Sequence, residues 1–384
     1  MRSVPYAWLQ LSQDKLKLLA AVGGITFAVV LVFMQLGLRE ALFDSSVRLH
    51  NGMAYDLVMI SPRTTYVGRA FSFPRSRLQQ VAGLEQVQSV SSLYLFLASY
   101  YYEGTPETHR KVLAIGIDPS HKVIRLPGVD TQISQLTRPD VVIMDRYSRE
   151  EFQPAIEHVI AGERLPLQLN DRSVTIIGLY DLGTSFGVDG SIITSDLNFV
   201  RIFPERRLGE IDLGLISLAP GVDQETGLRE IQAFLPQDVL VLTRNQFVQR
   251  EVDYWSGSTP IGYVFTLGAV IGIIVGLIIV YQILFADVQT HLAEYATLKA
   301  IGYSQGFLRG LIFKEAVILS VLGFIPALGL AQLLYDQAAA ATQLPLAMTL
   351  ERGVFVLVMT TVMCCLSGLL AIRKLAGLDP AEVF

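Results

Sequence analysis

The feature that most constrains this chain is the run IGYVFTLGAVIGIIVGLIIVYQILFA, residues 261–286, which contains no charged side chain. About 20 apolar residues wound as a helix cross the ~30 Å hydrocarbon core of a bilayer. Lipid offers the backbone no hydrogen-bond partner, so such a run can only be helical. Three more runs share this character. They cover residues 16–38 (LKLLAAVGGITFAVVLVFMQLGL), 311–334, which includes Pro326, and 353–372. Only 17% of the chain is charged, 51% is hydrophobic, and the mean hydropathy is +0.44. A soluble domain carries about 25% charged residues. The first run is too long for a cleavable leader and no small-x-small site follows it, so it reads as an anchor. Residues 1–15, with Tyr6 and Trp8, suit a helix lying along the cytoplasmic membrane interface.

Four spans place both termini on one side, and basic residues choose that side. With the termini inside, Arg2, Lys15, Lys17, Lys299, Arg309, Lys314, Arg373 and Lys374 are cytoplasmic, in the N-terminal segment, the loop 287–310 and the tail 373–384. The short opposite loop, 335–352, offers only Arg352. Residues 39–260 then lie outside, in a multi-pass membrane protein. In that segment MAYDLVMIS, SVSSLYLFLASYYY, KVLAIGID, DVVIMD, VTIIGLYD, SIITSD, IDLGLISLA and DVLVLT read as strands. SRLQQVAGL, DLNFVRIF and QETGLREIQAFL read as helices between them. The expected fold is therefore a membrane protein with four transmembrane α-helices, arranged one plus three. A large α+β domain, periplasmic by the family resemblance described below, is inserted between the first and second spans. LREALFDSSVRLH and RNQFVQREVDYW at its base read either as helical stalks prolonging those spans or as ordinary linkers.

Much chemistry is missing. There is no phosphate-binding G-x-x-x-x-G-K-[ST] or G-x-G-x-x-G, no H-E-x-x-H, no G-x-S-x-G and no C-x-x-C. His50, His109, His121, His158 and His291 are scattered, and the two cysteines, Cys364 and Cys365, adjoin inside an oily run. No catalytic, cofactor-binding or metal-ligating set emerges, and no basic tract suggests nucleic acid. The span centres hold almost no ionisable groups, which argues against an ion-coupled pathway. If this protein moves anything, the energy comes from elsewhere. One outer segment stands out: RTTYVGRAFSFPRSR interleaves Arg63, Arg69 and Arg75 with Tyr66, Phe71 and Phe73. Arginines and aromatics are enriched at interface hot spots. The segment reads as a contact for a partner or substrate, or else as a mobile surface loop.

Between the second and third spans lies HLAEYATLKAIGY, residues 291–303. Leu292, Tyr295, Ala296, Leu298 and Ile301 recur at helical spacing, while Glu294 and Lys299 point elsewhere. Gly302 is a natural helix stop, and Ser304 can cap the helix that follows. The short amphipathic helix either rests on the membrane or fills another protein's groove.

Here the chain resembles a known family. E-x-A-T-L-K-A-I-G-Y, followed by F-K-E-A and a closing AGLDPAEVF, is similar to the cytoplasmic loop and C-terminus of FtsX/MacB-like ABC transporter permeases. AWLQLSQDKLKLLAAVGGITFAVVLVFMQLGLREALFDSSVRLH (residues 7–50), LPGVD and DRYSREEF resemble the DevC-type permeases of cyanobacterial envelope glycolipid exporters. The resemblance implies a homodimeric, non-catalytic membrane subunit working with two copies of a separate ATPase, which binds the ATP. Leu292, Glu294, Tyr295, Leu298, Lys299, Ala300, Ile301, Gly302 and Tyr303 would form its coupling helix. It further implies mechanotransmission: closure of the ATPases levers the stalks and periplasmic domains, with a membrane-fusion adaptor and a TolC-like outer-membrane protein as partners alongside membrane lipids. Other roles within this architecture are signal transmission to a periplasmic cell-wall hydrolase and lipoprotein release. A membrane-anchored sensor or enzyme without an ATPase is a further class, and the cytoplasmic helix argues against it.

Overall fold

The computed structural model describes residues 6–101, 110–170, 172–290, 297, 301 and 305–375. Its helices are α1 (Tyr6–Gln13), α2 (Lys15–Gly52), α3 (Arg75–Ala82), α4 (Gln153–Ile160), α5 (Asp196–Ile202), α6 (Gln224–Phe234), α7 (Arg244–Asp253), α8 (Pro260–Thr290), α9 (Gln305–Thr342) and α10 (Leu350–Leu375). The chain forms two units. A helical unit takes residues 1–40, 263–339 and 346–384; an α+β unit takes residues 41–262 and 340–345.

Among the described residues, four helices are long and apolar enough to cross a membrane: Lys15–Gly52, Pro260–Thr290, Arg309–Thr342 and Leu350–Leu370. Asp14 caps α2, its Oδ1 accepting from the Lys17 amide at 3.2 Å. Small residues bring the helices together. Gly268, Gly272 and Gly276 lie four residues apart on one face of α8. A Cβ there would stand 2.5 Å from the Gln35 side chain, 3.3 Å from Val32 and 3.0 Å from Ala28, all on α2. Without side chains at these points the two backbones approach closely, the packing that suits helices with no hydrophobic drive between them. On α9, Gly323 plays the same part against Ile25, and its carbonyl accepts from Thr26 Oγ1 at 3.1 Å. At one end of the unit, Arg352 donates through Nε to Glu40 at 3.0 Å and lies over the Tyr335 ring, while the Tyr335 hydroxyl donates to the Phe33 carbonyl. Arg352, expected in the short loop, lies in the first turn of α10 and ties that helix to α2 and α9.

The strands are β1 (Leu57–Ile60), β2 (Phe73–Pro74), β3 (Val87–Tyr101), β4 (Arg110–Ile117), β5 (Val141–Asp145), β6 (Leu165–Leu169), β7 (Arg172–Tyr180), β8 (Gly190–Ser195), β9 (Glu210–Ile211), β10 (Leu213–Leu218) and β11 (Leu240–Thr243). Nine of them form a mixed sheet in the order β11-β1-β10-β3-β4-β8-β5-β7-β6, and β2 pairs with β9 separately. β3 is long enough to pair with β10 over Val87–Leu93 and with β6 at Tyr100 and Tyr101. Six strands therefore close on themselves, and β6 gains a second partner, which removes an edge.

Side-chain alternation along β1 feeds two cores. Leu57 and Met59 join one apolar cluster, Val58 and Ile60 the other. The first cluster takes Leu78, Ile156, Phe199 and Ile231 from α3, α4, α5 and α6. The second takes Leu49 from α2 and Phe247 from α7. One face of the sheet is thus covered by short helices of the unit's own, and the other receives the two stalk segments.

Those segments differ from each other. Residues 38–50 are an unbroken part of α2. The second stalk is a separate helix, α7, followed by a π turn (Tyr254–Ser258) and an extended Thr259 (φ −114°, ψ 145°) before α8. Pro260 opens α8, and its ring excludes the helical conformation from the residue before it. Three elements were not expected from the sequence: α4, β6 and the short β2.

Candidate functional site: the stalk junction

The ends of α2 and α7 meet on the second face of the sheet. Thr243 caps α7 in a reciprocal capping box with Gln246. The next residue, Arg244, donates through Nη2 to the Met53 carbonyl and approaches those of His50 and Asn51 at 3.5 Å. A guanidinium thus sits where α2 leaves its last carbonyls unsatisfied and its dipole negative. His50 is wholly buried against Phe247, with ring centroids 4.4 Å apart.

One turn further along α7, Glu251 is also buried. Its Oε2 accepts from the Val67 amide at 2.8 Å, and its Oε1 accepts from Trp255 Nε1 at 2.9 Å. His50 Nε2 stands 3.5 Å from Oε2, a contact without a hydrogen bond. Burial pushes the Glu251 carboxyl up to about 7. Burial, and then the Arg244 charge, push His50 down to about 3. His50 is therefore neutral at physiological pH, while Glu251 lies near its midpoint.

The same helix fastens the loop that follows β1. Arg250 Nε donates to the Thr64 carbonyl at 2.8 Å, and Nη2 to that of Pro62 at 3.3 Å. Tyr66 stacks on Tyr254 with centroids 4.2 Å apart and meets the edge of Trp255. A cavity of about 50 Å³ remains between Ser45, Tyr66, Ser185, Glu251 and Trp255. On its far side Asp145, at the end of β5, accepts from the amides of Leu182 and Gly183 at 2.9 Å each. Burial raises Asp145 to about 6. Arg48 of α2 donates to the Leu182 carbonyl at 3.2 Å. Gly183 has φ +96°, and a Cβ there would collide with Arg48 Nη1 at 1.8 Å, so the turn requires glycine. Thr184 Oγ1 donates to the Gln343 carbonyl at 3.1 Å, which brings the linker between α9 and α10 to the same loop.

No nucleophile stands beside a base here, and no group of three or more metal-ligating side chains occurs among the described residues. What the junction does is hold both stalk segments, the 61–74 loop and the 181–189 loop as one hydrogen-bonded piece.

The outer arginine-aromatic residues are not gathered into one patch. Tyr66 is taken up by the stack on Tyr254. Phe73, only 4% exposed, lies in β2 opposite Ile211 and belongs to the core. Arg75 opens α3 and donates its amide to the Gly209 carbonyl at 2.8 Å. Arg63 and Arg69 converge on the half-buried Phe71, at 4.3 and 5.9 Å from the ring centroid. Of the coupling stretch, Leu292, Glu294, Tyr295, Leu298, Lys299, Ala300, Gly302 and Tyr303 lie outside the described residues. Ile301 is 72% exposed, and its amide donates to the Thr297 carbonyl at 3.0 Å, one helical turn. Sequence reading missed His50, Arg244, Arg250 and Glu251. The spacing of Phe247, Glu251 and Trp255, one per turn along one face of the stalk, was the available signal.

Comparison with known proteins fits this frame. The MacB-like periplasmic core domain model matches residues 18–234, more than half of the chain, and the FtsX-like permease C-terminal model matches residues 266–380. The chain belongs to the FtsX/MacB-type family of ABC transporter permeases. Such permeases are generally non-catalytic subunits that work with ATPase partners. Among solved structures the permease is similar to the periplasmic region of MacB from Actinobacillus actinomycetemcomitans. That likeness has 13% identity and a TM-score of 0.36, covering 52% of this chain and 94% of that one. It is also similar to the extracellular domain of the noncanonic ABC-type transporter YknZ from Gram-positive bacteria, at 11% identity and a TM-score of 0.32, covering 49% and 99%. Both likenesses are weak, and the family assignment rests on the two family models. No curated protein matches the permease.

Proposed function

We propose that the permease delivers the work of a separate ATPase to its core domain and so drives export of an envelope glycolipid or similar lipid. In this reading it is a homodimer in the inner membrane, with both termini cytoplasmic, and carries two ATPase subunits. A periplasmic adaptor and a TolC-like outer-membrane protein complete the path. Residues 291–303 act as the coupling helix, with Leu298 and Ile301 as apolar anchors. The observation that carries the reading is the stalk junction. Arg244, Arg250 and Glu251 fasten the α2 end, α7 and the loop after β1 to one face of the sheet, so a displacement of the stalk segments is delivered to the core domain. Export of a glycolipid rests on the DevC-type resemblance.

The test is co-purification of the permease with its ATPase. Leu298→Asp removes an apolar anchor and puts a carboxylate against the groove, at a cost of about 2–4 kcal/mol and a ~30-fold or greater loss of binding. If Gly302 ends the coupling helix with φ > 0, Gly302→Val strains that end and is expected to retain the ATPase but couple it poorly. A Leu298→Asp permease that keeps both the ATPase and full export overturns the reading. Orientation has its own check: a cysteine at Ser120 is expected to react with an impermeant reagent from outside, and one at Ser304 is not.

A further inference from the structure

Where the helical unit begins, α1, the first turns of α2, the end of α8 and α9 enclose a groove of about 690 Å³. That volume is within the ~300–1,000 Å³ typical of ligand sites. Its walls are apolar: Leu11 from α1, Ala21 from α2, Ile283 and Leu284 from α8, Leu319 from α9. Its mouth is not. Lys15 and Lys17 line it beside Asp14. The Asp14 carboxylate is engaged by the helix it caps, accepting from the Lys17 amide, and it also contacts Lys17 Nζ at 3.4 Å. Lys15 is exposed and forms no ion pair among the described residues. Trp8, on the same α1 helix, is 43% exposed, as befits a side chain at headgroup level.

We propose that this groove binds one anionic phospholipid of the bilayer, its phosphate between Lys15 and Lys17 and an acyl chain along Leu11, Ile283 and Leu319. A soluble anion would need the lysines and not the walls; a neutral lipid would need the walls and not the lysines. The groove offers both, and three of its helices, α2, α8 and α9, are apolar enough to cross a bilayer. Lipid here fastens α1 to α2 and α8. The inference requires only that these helices lie in a membrane, so it stands or falls separately from ATPase coupling and export.

The test is native mass spectrometry of the full chain in detergent, titrated with phosphatidylglycerol or phosphatidylcholine of identical acyl chains. A lysine at an anionic surface strengthens binding roughly five-fold. Lys15→Gln with Lys17→Gln is therefore expected to weaken phosphatidylglycerol about twenty-fold and leave phosphatidylcholine unchanged. Ala286→Phe places a ring in the groove and is expected to weaken both lipids. Inorganic phosphate at millimolar concentration is expected to displace neither. Equal binding of the two lipids to the unaltered chain contradicts the proposal, as does phosphatidylglycerol binding indifferent to Ala286→Phe. Displacement by phosphate alone would show a free-anion site and also overturn it.

Discussion

The two units of the permease differ in their main packing device, although the helical unit also holds the buried Arg352 against Glu40. The helical unit is held together where side chains are missing, at Gly268, Gly272, Gly276 and Gly323, so that backbones touch. The core domain is held where charged side chains are buried and hydrogen-bonded. Asp145, Asp212 and Glu251 each lie within it and each accepts at least two hydrogen bonds. Each means follows from the solvent that surrounds the unit. Helices in lipid gain nothing from hiding apolar surface and must gain from close contact. A domain in water can bury a carboxylate, provided its donors are supplied on folding.

Substitutions can break this contrast. The largest effect is expected at Asp212, whose Oδ2 accepts from the Leu95 amide at 2.7 Å and from Arg206 Nη2 at 2.6 Å. Asp212→Ala leaves the largely buried Arg206 guanidinium without its carboxylate partner, at a cost of about 3–5 kcal/mol. Chemical denaturation of the purified permease, followed by a probe in the core domain, measures it. A loss below about 1 kcal/mol would mean that buried charge is incidental to that domain.

Gly276→Leu comes next. Its Cβ would stand 2.8 Å from Met363 Sδ and 3.0 Å from Ala28 Cβ. Overpacking of this kind costs about 1–3 kcal/mol. Detergent melts should show the loss, while Gly310→Leu, which meets nothing within 4 Å among the described residues, should not. Equal behaviour of the two would remove the close-contact account of the helical unit.

A smaller effect sharpens the core domain's side of the contrast. Glu251 titrates at about 7 when folded, against an ordinary 4.5, so the folded state holds the proton and stability falls as pH rises from about 4.5 to 7. His50, lowered from 6.5 to about 3, acts in the other direction: the unfolded chain holds that proton, and stability rises between pH 3 and 6.5. The two slopes oppose each other between about 4.5 and 6.5. Glu251→Gln removes one of them, so its melting temperature is expected to climb with pH across that interval relative to the unaltered chain. Parallel curves would show that Glu251 does not titrate there.

The smallest stability change is expected at Phe71. Phe71→Ser should shift the melt by less than about 0.5 kcal/mol. If Arg63, Arg69 and Phe71 serve the adaptor, its co-purification weakens nonetheless. Unchanged adaptor recovery would leave those three as ordinary surface. Phe73→Ser is the wrong probe for this question, because Phe73 is a core residue.

How legible each unit was follows the same division. Apolar run length is a property of the sequence, so the helices of the helical unit could be read directly. The glycine face was written as GAVIGIIVG, yet its partner on α2 appears only once the helices are packed. In the core domain, period-two alternation exposed eight strands. β6 escaped because Pro166 reads as a break; it is tolerated there on an outward-facing position. α4 is too short for periodicity to outweigh its own Pro154. The junction was the least legible, since Glu251 and His50 look like surface residues until tertiary packing buries them. Segment 63–77 shows the converse: its arginines and aromatics suggested one contact surface, and packing divides them between core, junction and surface.

The central claim is that ATP hydrolysis moves the core domain. Its most direct test places a spin label at the exposed Ser120 in each copy of the permease, with Cys364 and Cys365, the two cysteines of the chain, replaced by alanine. Distances between the labels are then measured in the full complex with its ATPase. The distance distribution is expected to differ between the ATP-bound and ADP-bound complexes, and the Leu298→Asp permease should lose that difference. Identical distributions in a complex that hydrolyses ATP at its normal rate would contradict the account.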